Sequence, residues 1–269
     1  MNYIVDKEIY HINSAKRITG SASDFYFKLN IDRNKKFDHV VVLSASIPKS
    51  YYLVSNFNKS FTLKEDTNSV LITFPIGNYT RRSLASTLET LLNDNSPNGY
   101  TYSVTFQNIS LGNDNGKYTI NVSGNGSVQP EFIFTNEMYE QMGFDINSTN
   151  TFSNNSLTSA DVINLTNETT LFIYSDICQN HNEGILQEIF TSGDISYSYI
   201  NFKNHAPYEY SKKMVLSKGD TYLFRILDEN GKIVDTNGIN VNITLMLFKK
   251  NNIDNLIKGA IKFLTLSSE

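Results

Sequence analysis

The feature that most constrains this sequence is its rhythm. Short runs in which apolar and polar residues alternate are broken by clusters of Asn, Gly, Asp and Ser. A period of two places every second side chain on one face of a pleated strand. The clusters supply residues that tolerate the backbone of tight turns. Phe25, Phe27 and Leu29 share one such face, and Val40 to Ile47 forms a more continuous run before Pro48. Further runs lie at 60–64, 69–74, 101–106 and 117–122, then at 170–175, 195–202, 221–227 and 240–249. The 16 Tyr and 17 Phe, with no Trp, join many Ile and Thr in favouring half-buried strands over long helices. The expectation is an all-β fold.

A few segments follow a different period. Leu84, Leu88, Leu91 and Leu92 recur at helical spacing after Thr80, with Thr80 or Ser83 as cap and Asn93 at the exit. Residues 136–142 fit a short helix capped by Asn136 and stopped by Gly143. Residues 184–190, with Ile185, Leu186, Ile189 and Phe190, fit another. The run Gly112-Asn113-Asp114-Asn115-Gly116 suits a hairpin, and Asn230-Gly231 marks a turn that leads to Ile233 and Val234.

Domain limits follow from the same reading. Residues 1–20 mix charge and polarity without a sustained period, so they are expected to form an N-terminal arm. Residues 145–160 are polar, with little pattern, and suggest a long loop or a joint between subdomains. The segment 251–269 carries Ile253, Leu256, Ile257, Ala260, Ile261 and Leu264 as one apolar stripe, opposite Asp254, Lys258 and Lys262. An amphipathic tail is expected there, packed on its own domain or turned to a subunit or membrane.

Charge and cysteine content narrow the function. The net charge is −4 and charged residues are 19% of the chain, so no global field draws it to phosphate backbones. The single Cys178 excludes an intramolecular disulfide framework and any multi-cysteine zinc site, and reads as a small buried residue. The opening MNYIVDKEIYHINSAKR has no apolar signal core, and no stretch nears the roughly 18 apolar residues that span a bilayer. The chain is therefore expected to fold where it is made. Its glycosylation-type triplets at Asn78, Asn121 and Asn242 are expected to stay unmodified.

No constellation of catalytic residues emerges. His11, His39, His181 and His205 are far apart and lack metal-ligand spacing. There is no nucleophile elbow, phosphate loop or dinucleotide fingerprint, and Gly124-Asn125-Gly126 reads as a turn. The acid pairs Glu65-Asp66 and Asp228-Glu229 sit in turn-like company, where exposed carboxylates are expected. Arg81-Arg82 opens the Leu-striped helix, and Lys35-Lys36 and Lys212-Lys213 are expected in loops, as solvated or subunit-facing surface. No catalytic, cofactor-binding or metal residue is assigned, and the chain is expected not to be an enzyme.

Several phrases carry a resemblance. They are Ile12-Asn13-Ser14-Ala15-Lys16-Arg17, Ser23-Asp24-Phe25-Tyr26-Phe27, Leu43 to Tyr51, and Phe74-Pro75-Ile76-Gly77-Asn78-Tyr79-Thr80. Met142-Gly143-Phe144, Val162 to Leu165, Ile173 to Asp176, Gly219-Asp220 and the Asp228 to Val234 turn continue it in order. Across residues 12–248 the chain resembles penton, or minor capsid, proteins of virophages and Polinton-like double-stranded DNA viruses.

The resemblance implies a jelly-roll β-sandwich, here over residues 21–250. The Leu-striped helix and the hairpin after it exceed what eight strands require, so a β-rich insertion lobe carrying a short helix is expected at about 75–160. The resemblance also implies a homopentamer at the vertex of an icosahedral virion, made in the host cytoplasm. The implied partners are a neighbouring major capsid protein, and a host surface or vertex-associated protein if the lobe projects outward. Specific nucleic acid is not among them. The alternative from the residues themselves is a β-sandwich receptor- or glycan-binding spike module, since exposed Tyr and Asn-rich loops can hold sugars.

Overall fold

The computed structural model describes residues 3–106, 115–147, 149–166, 169–178, 184–191, 198–216 and 219–251. The chain divides into two units, Met1–Tyr51 with Glu168–Glu269, and Tyr52–Asn167. The first unit opens with β1 (Tyr3–Asn13), β2 (Thr19–Gly20), β3 (Asp24–Lys28) and β4 (His39–Pro48). The second contains β5 (Ser60–Glu65), β6 (Asn68–Thr73), α1 (Arg81–Asn95), β7 (Thr101–Phe106) and β8 (Tyr118–Ser123). It continues with β9 (Glu131–Ile133), α2 (Met138–Met142), β10 (Asn150–Thr151) and β11 (Ser156–Thr158). The first unit resumes with β12 (Thr170–Ser175), β13 (Ile185–Phe190), β14 (Tyr199–Lys203), β15 (Lys212–Lys213), β16 (Thr221–Leu227) and β17 (Asn242–Asn251).

In the first unit one sheet runs β1-β17-β4-β14, with β15 also on β4, and the other runs β13-β12-β16-β3-β2. Every pairing is antiparallel. Counted one to eight in chain order, the longer strands give 1-8-3-6 in one sheet and 5-4-7-2 in the other. That interleaving is the double Greek key of a jelly roll. The core between the sheets takes Val40, Val42, Ala45, Ile47, Ile243, Leu245 and Leu247 from one side, and Phe25, Leu171, Ile173, Phe224 and Ile226 from the other.

A bulge explains the continuous run in β4. Thr244 pairs with Ser44 but Leu245 pairs with Val42, leaving Leu43 as the extra residue. Val40 and Val42 therefore share the core face with Ala45 and Ile47. Val41, Met246 and Phe248 form a second small cluster, with Phe248 stacked on His39 at 5.6 Å and edge-on to Tyr208 at 5.5 Å.

The second unit pairs β6-β5-β9-β10 in one sheet and β7-β8-β11 in another, with α1 against β7 and β6. Its own core joins Phe61, Leu63 and Ile72 to Leu84, Leu88 and Leu92 of α1 and to Tyr102, Tyr118 and Phe132. The helix begins where the leucine spacing placed it, and both proposed caps act. The Ser83 amide donates to Thr80 Oγ1 at 3.1 Å and the Thr80 amide to Ser83 Oγ at 2.9 Å, a reciprocal capping box.

Two to three turns further along, α1 covers the free edge of β7. Val104 N–H donates to Glu89 Oε2 at 2.8 Å, Tyr102 N–H donates to Asn93 Oδ1 at 2.7 Å, and Asn93 Nδ2 returns a bond to Tyr102 O at 2.9 Å. Asn93→Ala is expected to cost about 1–2 kcal/mol in urea unfolding and to speed exchange of the Tyr102 amide. Unchanged exchange at Tyr102 would show that water replaces the side chain.

Several expectations are corrected. Residues 3–13 form β1, paired along its length with β17, and not an arm. The apolar alternation there is short because Glu8 shares a face with Tyr10 and Ile12, its carboxylate bound by Lys35 and by the Tyr10 hydroxyl. Residues 185–190 are strand and not helix. Ile173 pairs with Gln187 but Tyr174 pairs with Ile185, so Leu186 is a bulge residue. The bulge brings Leu186 and Ile189, three apart, to the same core, which mimics helical spacing.

The inserted unit is wider than the 75–160 lobe expected, because the β5–β6 hairpin packs on α1 and β7. Residues 145–160 are not a featureless loop. Phe152 is buried beside Phe132 at 5.4 Å, and Asn154 and Asn155 take positive φ of 50° and 61° in a two-residue turn between Ser153 and Ser156. This is the tight hairpin turn that Asn tolerates. Lys212-Lys213, expected in a loop, forms β15 against Val40 and His39. The amphipathic stripe of 253–264 and His181 lie outside the described residues.

Candidate functional site

The histidines stand apart. His11 Nδ1 meets Thr244 Oγ1 at 3.3 Å, His39 Nδ1 meets Asp38 Oδ1 at 2.7 Å, and His205 is exposed. Among the described residues no group of three or more His, Cys, Asp or Glu comes together. Cys178 is buried, its thiol donating to Ser175 O at 3.3 Å, and burial raises its pKa. Arg81 lies over the Phe106 ring at 4.7 Å and donates to Lys117 O at 3.2 Å. Gly124 and Gly126 take positive φ of 80° and 58°, as a turn requires.

The acid pairs are more structural than their turn-like setting suggested. Glu65 is 0% exposed. It accepts from Ser96 Oγ at 2.8 Å, from the Asn98 amide at 2.9 Å and from the Tyr102 hydroxyl at 2.6 Å. Burial first, and then the bond to Glu65, push the Tyr102 phenol far above its ordinary range. The signal for this site was present, because the inward period of Phe61 and Leu63 continues to 65. Asp228 is also buried and caps its own turn, accepting from the amides of Asn230 at 2.9 Å and Lys232 at 2.7 Å.

The feature suited to binding is a flank of the first unit, where β13 ends one sheet and β14 ends the other. Thr191 N–H donates to Thr169 O and Ser175 N–H to Gly184 O, which makes Gln187 and Ile189 the residues bonded to β12. The backbone groups of Glu188 and Phe190 therefore turn away from β12. By the same alternation, from Lys49 N–H to Ser198 O and from Asn204 N–H to Leu43 O, those of Tyr199, Asn201 and Lys203 turn away from β4.

Residues of both strands and of the chain after β14 line a cleft of about 870 Å³. Phe190 and Tyr210 stand in it 70% and 61% exposed. Lys203, His205 and Lys212 face it with Glu188. A volume of that order is typical of ligand sites, which bracket roughly 300–1,000 Å³. Sequence reasoning missed this site because it is assembled from the ends of two sheets and has no linear motif.

No protein-family model matches the chain, and no curated protein sequence matches it. Among solved structures, selenomethionine-labelled mavirus penton protein is similar at 10% sequence identity and a TM-score of 0.41, over 92% of this chain and 100% of that one. Superposition at that level adds nothing to the fold assignment, which rests on the strand order.

Proposed function

We propose that this protein is a structural subunit of an icosahedral virus shell, closing a fivefold vertex as a ring of five copies. The observation that carries the reading is the coincidence of two things. The phrases that resemble virophage and Polinton-like vertex proteins fall, in order, on a jelly roll, a fold that many capsid subunits use, and on the unit inserted into it. Ile12 to Arg17 covers the end of β1 and the turn after it, Ser23 to Phe27 lies on β3, Leu43 to Tyr51 closes β4, and Phe74 to Thr80 leads into α1.

A ring closed by rotation brings two different surfaces of each copy together. Exposed apolar side chains are available for such contacts. Leu71 and Ile133, each opposite Thr62 across the sheet of the second unit, are one example. In this reading the chain works by shape and turns over no substrate, and its partners are its own copies and a neighbouring major capsid protein in the virion.

Native mass spectrometry of the purified chain tests the ring. Five chains of 30.5 kDa should appear as one species of roughly 150 kDa. Imaging of particles should then place it at the corners. A monomer under all conditions, together with density elsewhere in the shell, would overturn the proposal.

A further inference from the structure

We infer that the cleft between β13 and β14 binds an extended, carboxylate-bearing segment of another protein, which pairs with a free strand edge. The inference concerns one copy of the chain and stands apart from the five-copy ring.

Three observations support it. The first is the contrast between edges within one chain. β7 has its outward amides covered by Glu89 and Asn93 of α1. On β13 and β14, Gln187 Nε2 donates to Glu188 O at 2.7 Å and Asn201 Nδ2 to Tyr199 O at 3.5 Å, but the outward groups of Glu188, Phe190, Tyr199, Asn201 and Lys203 have no strand partner among the described residues. An edge without a strand partner is a template for one kind of ligand, an extended backbone.

The second is charge. Lys203, His205 and Lys212 line the cleft against the single carboxylate of Glu188. Neither lysine takes part in an ion pair among the described residues. On a chain whose net charge is −4, this is a local basic site fitted to acidic side chains.

The third is apolar contact. Phe190 and Tyr210 are the most exposed aromatics of the first unit among the described residues, and both line the same cleft. An added strand alternates its side chains between faces, so acidic residues can meet the lysines while the intervening ones meet the rings.

The terminal strand of a second copy does not supply matching charge. The chain's own terminal strand, β1, has Lys7 between Asp6 and Glu8, and Glu8 is already bound to Lys35. In a twofold antiparallel pairing of β14 centred on Lys203 the two lysines would oppose each other, which disfavours that register between copies and favours an unlike, acidic strand at this edge.

The test uses the full chain and two fluorescein-labelled synthetic peptides, one alternating glutamate with valine and one alternating lysine with valine. The acidic peptide should bind saturably and weaken with added salt, and the basic one should not bind. Charge reversal in Lys203→Glu with Lys212→Glu should weaken binding at least about tenfold, as should Phe190→Ser, a second variant at an exposed position. Hydrogen exchange should slow at Glu188 and Phe190 on binding. Failure of the acidic peptide to bind at millimolar concentration overturns the inference. So does equal binding of the basic peptide, displacement by a sialylated oligosaccharide without amide protection, or self-association lost in the charge-reversed variant. The peptide and oligosaccharide outcomes leave the mass of the ring unchanged, whereas loss of self-association would overturn the inference by making this flank the contact between copies, so the two proposals fail separately.

Discussion

Glu65→Ala is expected to destabilise the second unit by about 3–5 kcal/mol, because it strands several buried donors at once. In the native protein the carboxylate accepts from Ser96 Oγ, the Asn98 amide and the Tyr102 hydroxyl, and no water reaches it. Alanine leaves those donors facing one another across a void at the point where the β5–β6 hairpin, the end of α1 and the start of β7 meet. Glu65→Gln keeps one acceptor oxygen but aims an amide NH2 at other donors, and should fall between alanine and wild type. Urea unfolding followed by hydrogen exchange at α1 and β7 separates loss in this unit from loss in the other. A cost below about 1 kcal/mol for alanine would show that the donors find other partners.

Phe224→Ala should cost the first unit about 3–5 kcal/mol. The ring is 0% exposed and stacks on Phe25 at 5.8 Å, on β16 and β3 of one sheet, against the aliphatic side chains of the other. Its removal loses transfer energy and leaves a cavity that strands from two sheets cannot jointly close. Phe190→Ala is the control. Being 70% exposed, that ring should contribute within about 0.5 kcal/mol, so any larger loss would mean that the flank is covered in the folded chain. Equal effects of the two substitutions would refute the assignment of Phe224 to the core.

Legibility followed the range of the interactions. β7, β12 and β16 begin and end where alternation placed them, because each pattern is complete within the strand. The leucine spacing of α1 was equally plain, and its capping pair sits three residues apart. Failures came where a distant partner changed the local rule. The bulge at Leu186 turned a strand into an apparent helix, and Lys35 allowed Glu8 to occupy the strand face that ends in Ile12. Glu65 lay in register with Phe61 and Leu63, but its acceptance of bonds from α1's end and from β7 could not be read from charge or neighbours.

The amino-acid sequence alone determined that this protein is all-β, where most strands and the main helix lie, and which faces are apolar. Those properties depend on residues two to four positions apart, within the period of a strand or a helix turn. Only the tertiary structure decided the 1-8-3-6 and 5-4-7-2 strand order, the extent of the inserted unit, the burial of Glu65 and the meeting of β13 and β14 at one flank. Each of these requires segments separated by tens of residues to choose one another, and that choice is made by the packing of the whole core, which no single stretch of sequence contains.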